Sequence, residues 1–238
     1  MTRDLRRMFS RRDFLRRAGS GAVAAGLTLR TGHRCGAASA GGLRAGEGVV
    51  DATPPLGIEM GGFHRPPNNP RLITGIRQPA SARALVLAGG DTQAAIVSLD
   101  VLDVPYDFTA RVQAEVARQT GIPAAHVRVC ATHSHSMPAF QFSHQWGAVP
   151  HEYMATVQEK IVEACRLAKE DLAPAEVYLG KARAVGANFN RTTKNFKTDA
   201  EFGKDSTEDQ RWLDTLLHVL RFERPGGRRS LLWYHFSN

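Results

Sequence analysis

The first clear pattern along the chain is a pair of apolar runs separated by a glycine turn. Arg83-Ala84-Leu85-Val86-Leu87 and Ala94-Ala95-Ile96-Val97-Ser98-Leu99 are rich in residues that favour strands, and Gly89-Gly90-Asp91 lies between them. Glycine and aspartate tolerate the positive φ angles that a tight hairpin turn needs. The pattern therefore predicts an antiparallel β-hairpin.

Two stretches carry the spacing of an amphipathic helix. The first runs from Tyr106 to Thr120, has apolar residues at every fourth position from Phe108, and ends before Gly121. The second begins at Pro150, because a proline is tolerated at a helix start, where its missing N–H has no partner. Its apolar face consists of Met154, Val157, Ile161, Ala164, Cys165 and Ala168. Both stretches predict helices that pack one face on a core.

Shorter apolar runs complete the predicted set of strands. They are residues 49–51, 126–132, 176–179, 213–222 and 230–236, with the last two joined as a second hairpin through Pro225-Gly226-Gly227. Residues 41–47 are predicted as a linker, and 53–70, rich in Pro and Gly, as a loop. Strands and helices alternate at first and hairpins are mixed in. This order predicts the α/β class, with a mixed β-sheet flanked by helices.

The charge of the chain is concentrated at its start. The formal net charge is +8, and residues 1–46, with ten Arg and two Asp, carry all of it. Residues 47–238 hold 21 basic and 21 acidic side chains. A neutral body lacks the electrostatic surface that nucleic-acid binders use. We therefore expect no nucleic-acid partner.

The basic start has the order of an export signal. Ser10-Arg11-Arg12-Asp13-Phe14-Leu15 is a twin-arginine pattern, an uncharged run of small residues follows from Ala18 to Leu29, and Ala38-Ser39-Ala40 fits a cleavage site. The small-residue run is too short to span a membrane. We therefore expect residues 1–46 to be a twin-arginine export signal and linker. The mature chain would then be periplasmic or secreted, with no transmembrane segment.

Two cysteines lie in the remaining part, Cys130 on a predicted strand and Cys165 on a predicted helix face. A disulfide between them is compatible with an oxidising compartment, but a single pair does not define a scaffold. We favour two buried thiols, because free Cys packs as a small apolar residue.

A His-x-His pair follows one of the buried strands. His133 and His135 lie where the strand 126–132 gives way to a loop, which is where α/β sheets usually present their sites. In extended backbone, residues two apart point to the same face, so both imidazoles could address one point. Imidazole is a good zinc ligand and a good acid–base group near neutral pH. The spacing alone is also compatible with two surface histidines at a strand end.

Several segments are informative because of the order in which they occur along the chain. They are the loop 51–62, the hairpin runs 83–87 and 96–100, the segment Ala131–Pro138, Asn188-Phe189-Asn190-Arg191, and His235 after the strand 231–234. No single segment is specific, but the ordered set resembles the neutral ceramidase family. Residues 47–238 are similar to the front portion of that family's catalytic domain.

The resemblance implies a role for each matching residue. His133 would be the first zinc ligand and His235 the second. His135 would face the substrate, and Arg191 would help to hold the developing oxyanion. Bound Zn²⁺ would lower the pKa of a water ligand and polarise an amide carbonyl. The implied activity is zinc-dependent hydrolysis of an N-acyl amide bond, with a ceramide-like lipid as the substrate class.

The chain departs from the family pattern in composition and in length. Ser134, Met137 and Phe236 stand where Thr, Gly and Pro are usual in the family. The family's remaining zinc ligands, a Glu and a Tyr, lie further along than Asn238. Two histidines do not complete a catalytic zinc site, which takes three protein ligands and an open position. The chain would then be a truncated or split product, would receive the remaining ligands from a partner, or would not be catalytic in this form. We favour truncation and expect this chain to be an incomplete form.

Two other functions remain compatible with these residues. One is a different exported zinc amidase or esterase on the same scaffold, and the other is a non-catalytic secreted binding fragment. Kinase, nucleotide-binding and serine-hydrolase functions lack support, because the sequence contains neither a P-loop nor a G-x-S-x-G pattern.

Overall fold

The computed structural model describes residues 33–34, 42–66, 68–190, 197–198, 201–207 and 213–237. The predicted twin-arginine pattern, small-residue run and cleavage site lie outside these residues. The described part forms two sheets and two α-helices. The strands are β1 His33–Arg34, β2 Arg44–Asp51, β3 Ser81–Gly89, β4 Thr92–Leu99, β5 Val127–Ala131, β6 Ala173–Pro174, β7 Glu176–Arg183, β8 Leu216–Glu223 and β9 Leu231–Phe236. The helices are α1 Tyr106–Thr120 and α2 His151–Glu170.

Five strands form the first sheet in the order β5-β4-β3-β2-β6. Only β4 and β5 are parallel, and they are joined through α1, because parallel strands need a crossover connection. Both helices pack on one face of this sheet, where alternate strand residues form the core with helix residues such as Phe108, Val112, Val157 and Ile161. The prediction of a mixed sheet with packed helices is confirmed, and the first hairpin is β3–β4.

Helix α2 lies directly on β2, and two glycines make this approach possible. A Cβ atom on Gly46 would lie 2.1 Å from the carbonyl oxygen of Ala168, and one on Gly48 would lie 2.0 Å from that of Ala164. Real Cβ atoms do not approach backbone oxygens this closely, so only glycine allows the helix to sit so near the strand. The linker predicted for residues 41–47 is wrong from Arg44 onward, since β2 begins there.

The second sheet is antiparallel throughout, in the order β1-β7-β8-β9. Its residues Phe222 and Leu231 pack with Ala45 of β2. Leu85 and Leu87, on the face of the first sheet opposite to the helices, contribute to the same cluster. β8 and β9 form the second predicted hairpin, and β9 lies at the edge of the sheet. The two-residue strands β1 and β6 were not predicted, because runs this short carry no periodicity.

The two sheets are also joined by ion pairs around Asp171, which follows α2. Its carboxylate accepts a hydrogen bond from the Glu47 N–H of β2 at 3.0 Å. It also pairs with Arg224 and Arg228 of the β8–β9 turn region, the latter at 2.9 Å. The Arg224 side chain is only 5% exposed, so this contact is shielded from water more than an ordinary surface pair is.

Candidate active site

The chain that follows β5 is held against the chain that follows β4. The Thr132 N–H donates to the Leu99 carbonyl at 2.9 Å, and the Ser134 N–H donates to the Val101 carbonyl at 3.2 Å. Because β4 and β5 are parallel, both segments leave the sheet at the same edge. The sheet therefore delivers the His133–His135 segment to the carboxyl ends of two parallel strands, as the sequence predicted.

The backbone of this segment is a turn and not an extended strand. β5 ends at Ala131, His133 has a φ of 58°, and the Met137 N–H closes the turn onto the Ser134 carbonyl at 3.3 Å. Left-handed backbone is uncommon outside glycine and is found most often at turns and functional sites. The predicted extended backbone is therefore wrong. The predicted convergence is correct, because the two Nε2 atoms of His133 and His135 lie 3.3 Å apart.

Hydrogen bonding fixes the tautomer of His133. Its Nδ1 lies 2.9 Å from the Leu102 carbonyl oxygen, and because a carbonyl only accepts, Nδ1 carries the hydrogen and donates it. In the neutral ring Nε2 then presents a lone pair. His135 faces it with its own Nε2, and the two rings meet edge to face with centroids 4.9 Å apart. The pair thus offers one fixed lone pair and one adjacent nitrogen that can hold a proton.

The loop predicted from its Pro and Gly residues forms a wall of this site. Gly62 has a φ of 89°, and a Cβ atom there would lie 2.4 Å from Nδ1 of His135. A Cβ atom on Gly61 would lie 2.7 Å from Cδ2 of Leu102. The Gly61 N–H also donates to the Met137 carbonyl at 2.9 Å. Gly62 is therefore required by its close approach to the His135 ring, and the Gly61 backbone is hydrogen-bonded directly to the histidine turn.

Two acidic residues that sequence reasoning missed hold the surrounding loops. Asp103 accepts hydrogen bonds from the Phe140 and Gln141 N–H groups at 2.6 and 3.3 Å. Glu59 pairs with Arg65 at 2.7 Å and accepts from the Ala148 N–H. Each is a carboxylate on a loop, which is a weak signal, because most such charges only face solvent.

A cleft of about 590 Å³ lies beside the histidine turn. The segment 72–80 forms one wall, and Ser134, Ser136 and Met137 line the other side. Leu72 and Ile76 are exposed and give this wall an apolar surface, while Arg77 and Asp100 add charge. Polar and apolar residues line the cleft in similar measure, so its walls can contact both the apolar and the polar parts of a small molecule.

His235 does not join the pair at His133. It is exposed on β9 in the second sheet, and its neighbour is His218, directly opposite on β8, with ring centroids 6.4 Å apart. Among the residues that the structure describes, no three His, Cys, Asp or Glu side chains lie together closely enough to hold a metal ion. The predicted convergence of His133 and His235 on one metal therefore stays a prediction.

Arg191 lies outside the described residues. Asn188, three residues before it, is held by hydrogen bonds. Asn188 is buried, and its amide donates to the carbonyls of Asp214 and Ser237, both at 2.7 Å. Asp214 precedes β8 and Ser237 follows β9. Asn188, the first residue of the predicted Asn-Arg segment, is thus anchored at the end of the second sheet that carries His235.

The two cysteines of the described part carry free thiols. Cys165 is buried under the first sheet, and this burial raises the pKa of its thiol to about 12, so it stays protonated. Cys130 is exposed, which corrects the prediction of two buried thiols. The reason is topological: Cys130 points to the face of β5 that no helix covers.

Comparison with known structures shows the class of fold. A ceramidase complexed with C2 matches with a TM-score of 0.65, and the neutral ceramidase from Pseudomonas aeruginosa with a TM-score of 0.59, each at 21% identity. Both matches cover 82% of this chain but only 31% and 32% of those chains. This chain therefore spans about a third of the length of the structures whose fold it shares.

The family is shown by the sequence itself. The family model described as neutral/alkaline non-lysosomal ceramidase, N-terminal, matches residues 43–236, which is most of the chain. The chain belongs to this family. No curated protein matches the sequence. Neither α-helix of the described part combines the length and apolar character needed to cross a membrane.

Proposed function

We propose that this chain carries the first part of a zinc-dependent amidase site that hydrolyses the N-acyl amide bond of ceramide-like lipids. The family match over residues 43–236 supports the reaction class. The single observation that carries the site is the His133 imidazole, whose Nδ1–H is held by Leu102 while its Nε2 faces His135.

The residues present fit zinc at His133. A ligating histidine usually donates its second ring N–H to a carbonyl or carboxylate, which fixes the ring and the tautomer. The bond to Leu102 does this and leaves Nε2 as the ligating atom. We propose His235 as a second ligand, because its place in the order of motifs along the sequence is similar to that of a zinc histidine in the family; in this structure it lies within β9. Zinc, when bound, supplies a water of lowered pKa and polarises the amide carbonyl.

The remaining proposed roles belong to His135 and Arg191. His135 lies within hydrogen-bond distance of His133 and can hold or release a proton at Nε2 next to the reacting atoms. Arg191 would place a positive charge near the oxygen of the tetrahedral intermediate, where negative charge grows in the transition state.

Zinc affinity of the chain tests the proposed ligands separately from turnover. We expect His133→Ala to lower zinc affinity by at least about tenfold, measured by equilibrium dialysis with metal analysis. His126→Ala is a matched control, because His126 is exposed and also bonds a backbone carbonyl through Nδ1, that of Gln93 at 2.9 Å. Equal zinc affinity in His133→Ala and the control would remove His133 from the ligand set.

Turnover tests the substrate class. A fluorescent ceramide should be cleaved by a form that carries the whole catalytic domain, lose cleavage on chelation and regain it with Zn²⁺. Cleavage of esters without cleavage of amides would favour the alternative zinc esterase. Zinc-independent ligand binding with no turnover of either would favour the non-catalytic binding function.

We also propose that the chain is exported by the twin-arginine pathway, as the Arg11-Arg12 pattern and the run that follows it suggest. Replacing both arginines by lysine keeps the charge and should abolish export, measured as protein in the periplasmic fraction. Undiminished export of the double-lysine variant would contradict this proposal.

A further inference from the structure

Arg71 connects the glycine loop to the histidine turn. Its Nη1 donates to the Gly61 carbonyl at 3.1 Å, and its Nη2 donates to the His135 carbonyl at 3.3 Å. The two acceptors belong to segments more than sixty residues apart in sequence. A guanidinium group is a rigid fork that can reach two carbonyls at a fixed separation, which a lysine ammonium cannot do with the same geometry.

The same guanidinium also holds an aromatic ring against His135. Its central carbon lies 4.8 Å from the ring centroid of Phe63, a cation–π contact. Phe63 in turn meets the His135 imidazole edge to face, with centroids 4.7 Å apart. Phe63 is 55% exposed, so burial alone does not fix its ring. The contact with Arg71 supplies the missing restraint.

The base of the Arg71 side chain is itself rigid. Leu72 forms an isolated antiparallel bridge with Glu59, and the Met60 N–H donates to the Arg71 carbonyl at 2.7 Å. Glu59 is fixed in turn by Arg65 and by the 147–148 loop. The guanidinium therefore extends from a restrained backbone position.

We propose that Arg71 is the positioning residue for the His135 imidazole. It fixes the backbone of His135 through the carbonyl and the ring of His135 through Phe63, while the Gly62 backbone also lies close against the ring. Its importance for catalysis rests on the proposed function of His135, but the positioning itself does not.

Nuclear magnetic resonance of the histidine rings tests this inference in the full chain. Histidine-labelled protein should show a nuclear Overhauser contact between Phe63 and His135 and a ring-current shift of the His135 Cε1–H signal. Arg71→Ala should lose both, while the Nδ1–H tautomer signal of His133 and the transition temperature of the core stay close to the parent. Arg71→Lys should restore these His135 signals only in part. Arg111→Ala, which removes an exposed arginine on α1, should change nothing.

A second variant keeps the test valid if Arg71→Ala does not fold. Phe63→Leu leaves the guanidinium bonds in place but removes the ring, so the His135 side chain should lose its shift while its backbone amide signal stays. Parental His135 ring signals in a folded Arg71→Ala protein would overturn the inference. The same result from Phe63→Leu would also overturn it.

The outcome is separable from that of the proposed function. If Arg71→Ala loses the contact between Phe63 and His135 but the parent protein never cleaves an amide, Arg71 is supported as a positioning residue and the amidase proposal fails. If the parent cleaves an amide but Arg71→Ala keeps the contact, only the role of Arg71 is overturned.

Discussion

The two regions that carry the proposed zinc histidines are built in different ways. His133 is fixed by its own left-handed backbone, by the Leu102 carbonyl and by the ring of His135. His235 is exposed on an edge strand and is placed by the register of β9 against β8. The first region is preorganised by loops packed on a core. The geometry of the second depends on how firmly the two sheets are held together.

The largest expected effect is on the stability of the first sheet and its helices, from which the His133 region extends. Gly48→Ala would force a Cβ atom into the Ala164 carbonyl of α2, so we expect a loss of at least about 3 kcal/mol in the free energy of unfolding. The measurement is urea denaturation. Gly180→Ala in the second sheet is the matched control, since the nearest atom, the Val219 carbonyl oxygen, lies 3.9 Å away. Equal stability of the two variants would show that α2 is not seated on β2.

The next effect concerns the connection between the sheets. Burial acts to raise the pKa of Asp171, but hydrogen bonds from the Glu47 N–H and the Arg224 guanidinium outweigh it and hold the pKa below its ordinary value. A depressed folded pKa stabilises the protein above the unfolded pKa, and this contribution is lost as the pH falls through the folded pKa.

Asp171→Asn should therefore cost about 1–2 kcal/mol at pH 7 and have a smaller effect below about pH 4. Unfolding curves at several pH values measure this. Glu159→Gln, on the exposed face of α2, is the control for a general charge effect. A loss of stability that is the same at every pH would assign the role of Asp171 to packing alone.

The last effect, similar in size to that at Asp171 but the most local in its reach, is expected at Gly62. Gly62→Ala has to adopt a φ of 89° and displaces the His135 ring, at a cost in unfolding free energy of about 1–2 kcal/mol. The His135 ring signals should change while those of His218 and His235 stay the same. Gly75→Ala is the control, because nothing lies within 4 Å of its added Cβ. Changed signals at His235 as well would mean that the two regions are coupled.

Much of the fold was predictable because its signals are local. Helix α1 has the predicted bounds of Tyr106 and Thr120, and both hairpins lie where apolar runs flank glycine turns. The start of β2 was not predicted. Its Gly46 and Gly48 suggest a linker in sequence, whereas in the structure they are the contact surface for α2.

The site was predictable only in part. The spacing of His133 and His135 and their place after a strand indicated that the rings would meet. The reason given, extended backbone, was wrong, because the rings meet through a turn with a positive φ. The roles of Arg71 and Phe63 were not predicted, because His135, which both of them contact, lies more than sixty residues away and no local pattern marks them.

The sequence by itself determined the class of fold, the family and the identity of the histidine pair, because periodicity, turn residues and ordered motifs are properties of neighbouring positions. Only the tertiary structure decided the tautomer of His133, the contact of the His135 ring with Phe63 and the exposure of Cys130. These depend on which distant backbone carbonyls and side chains the folded sheets bring within a few ångströms, and such distances are set by packing.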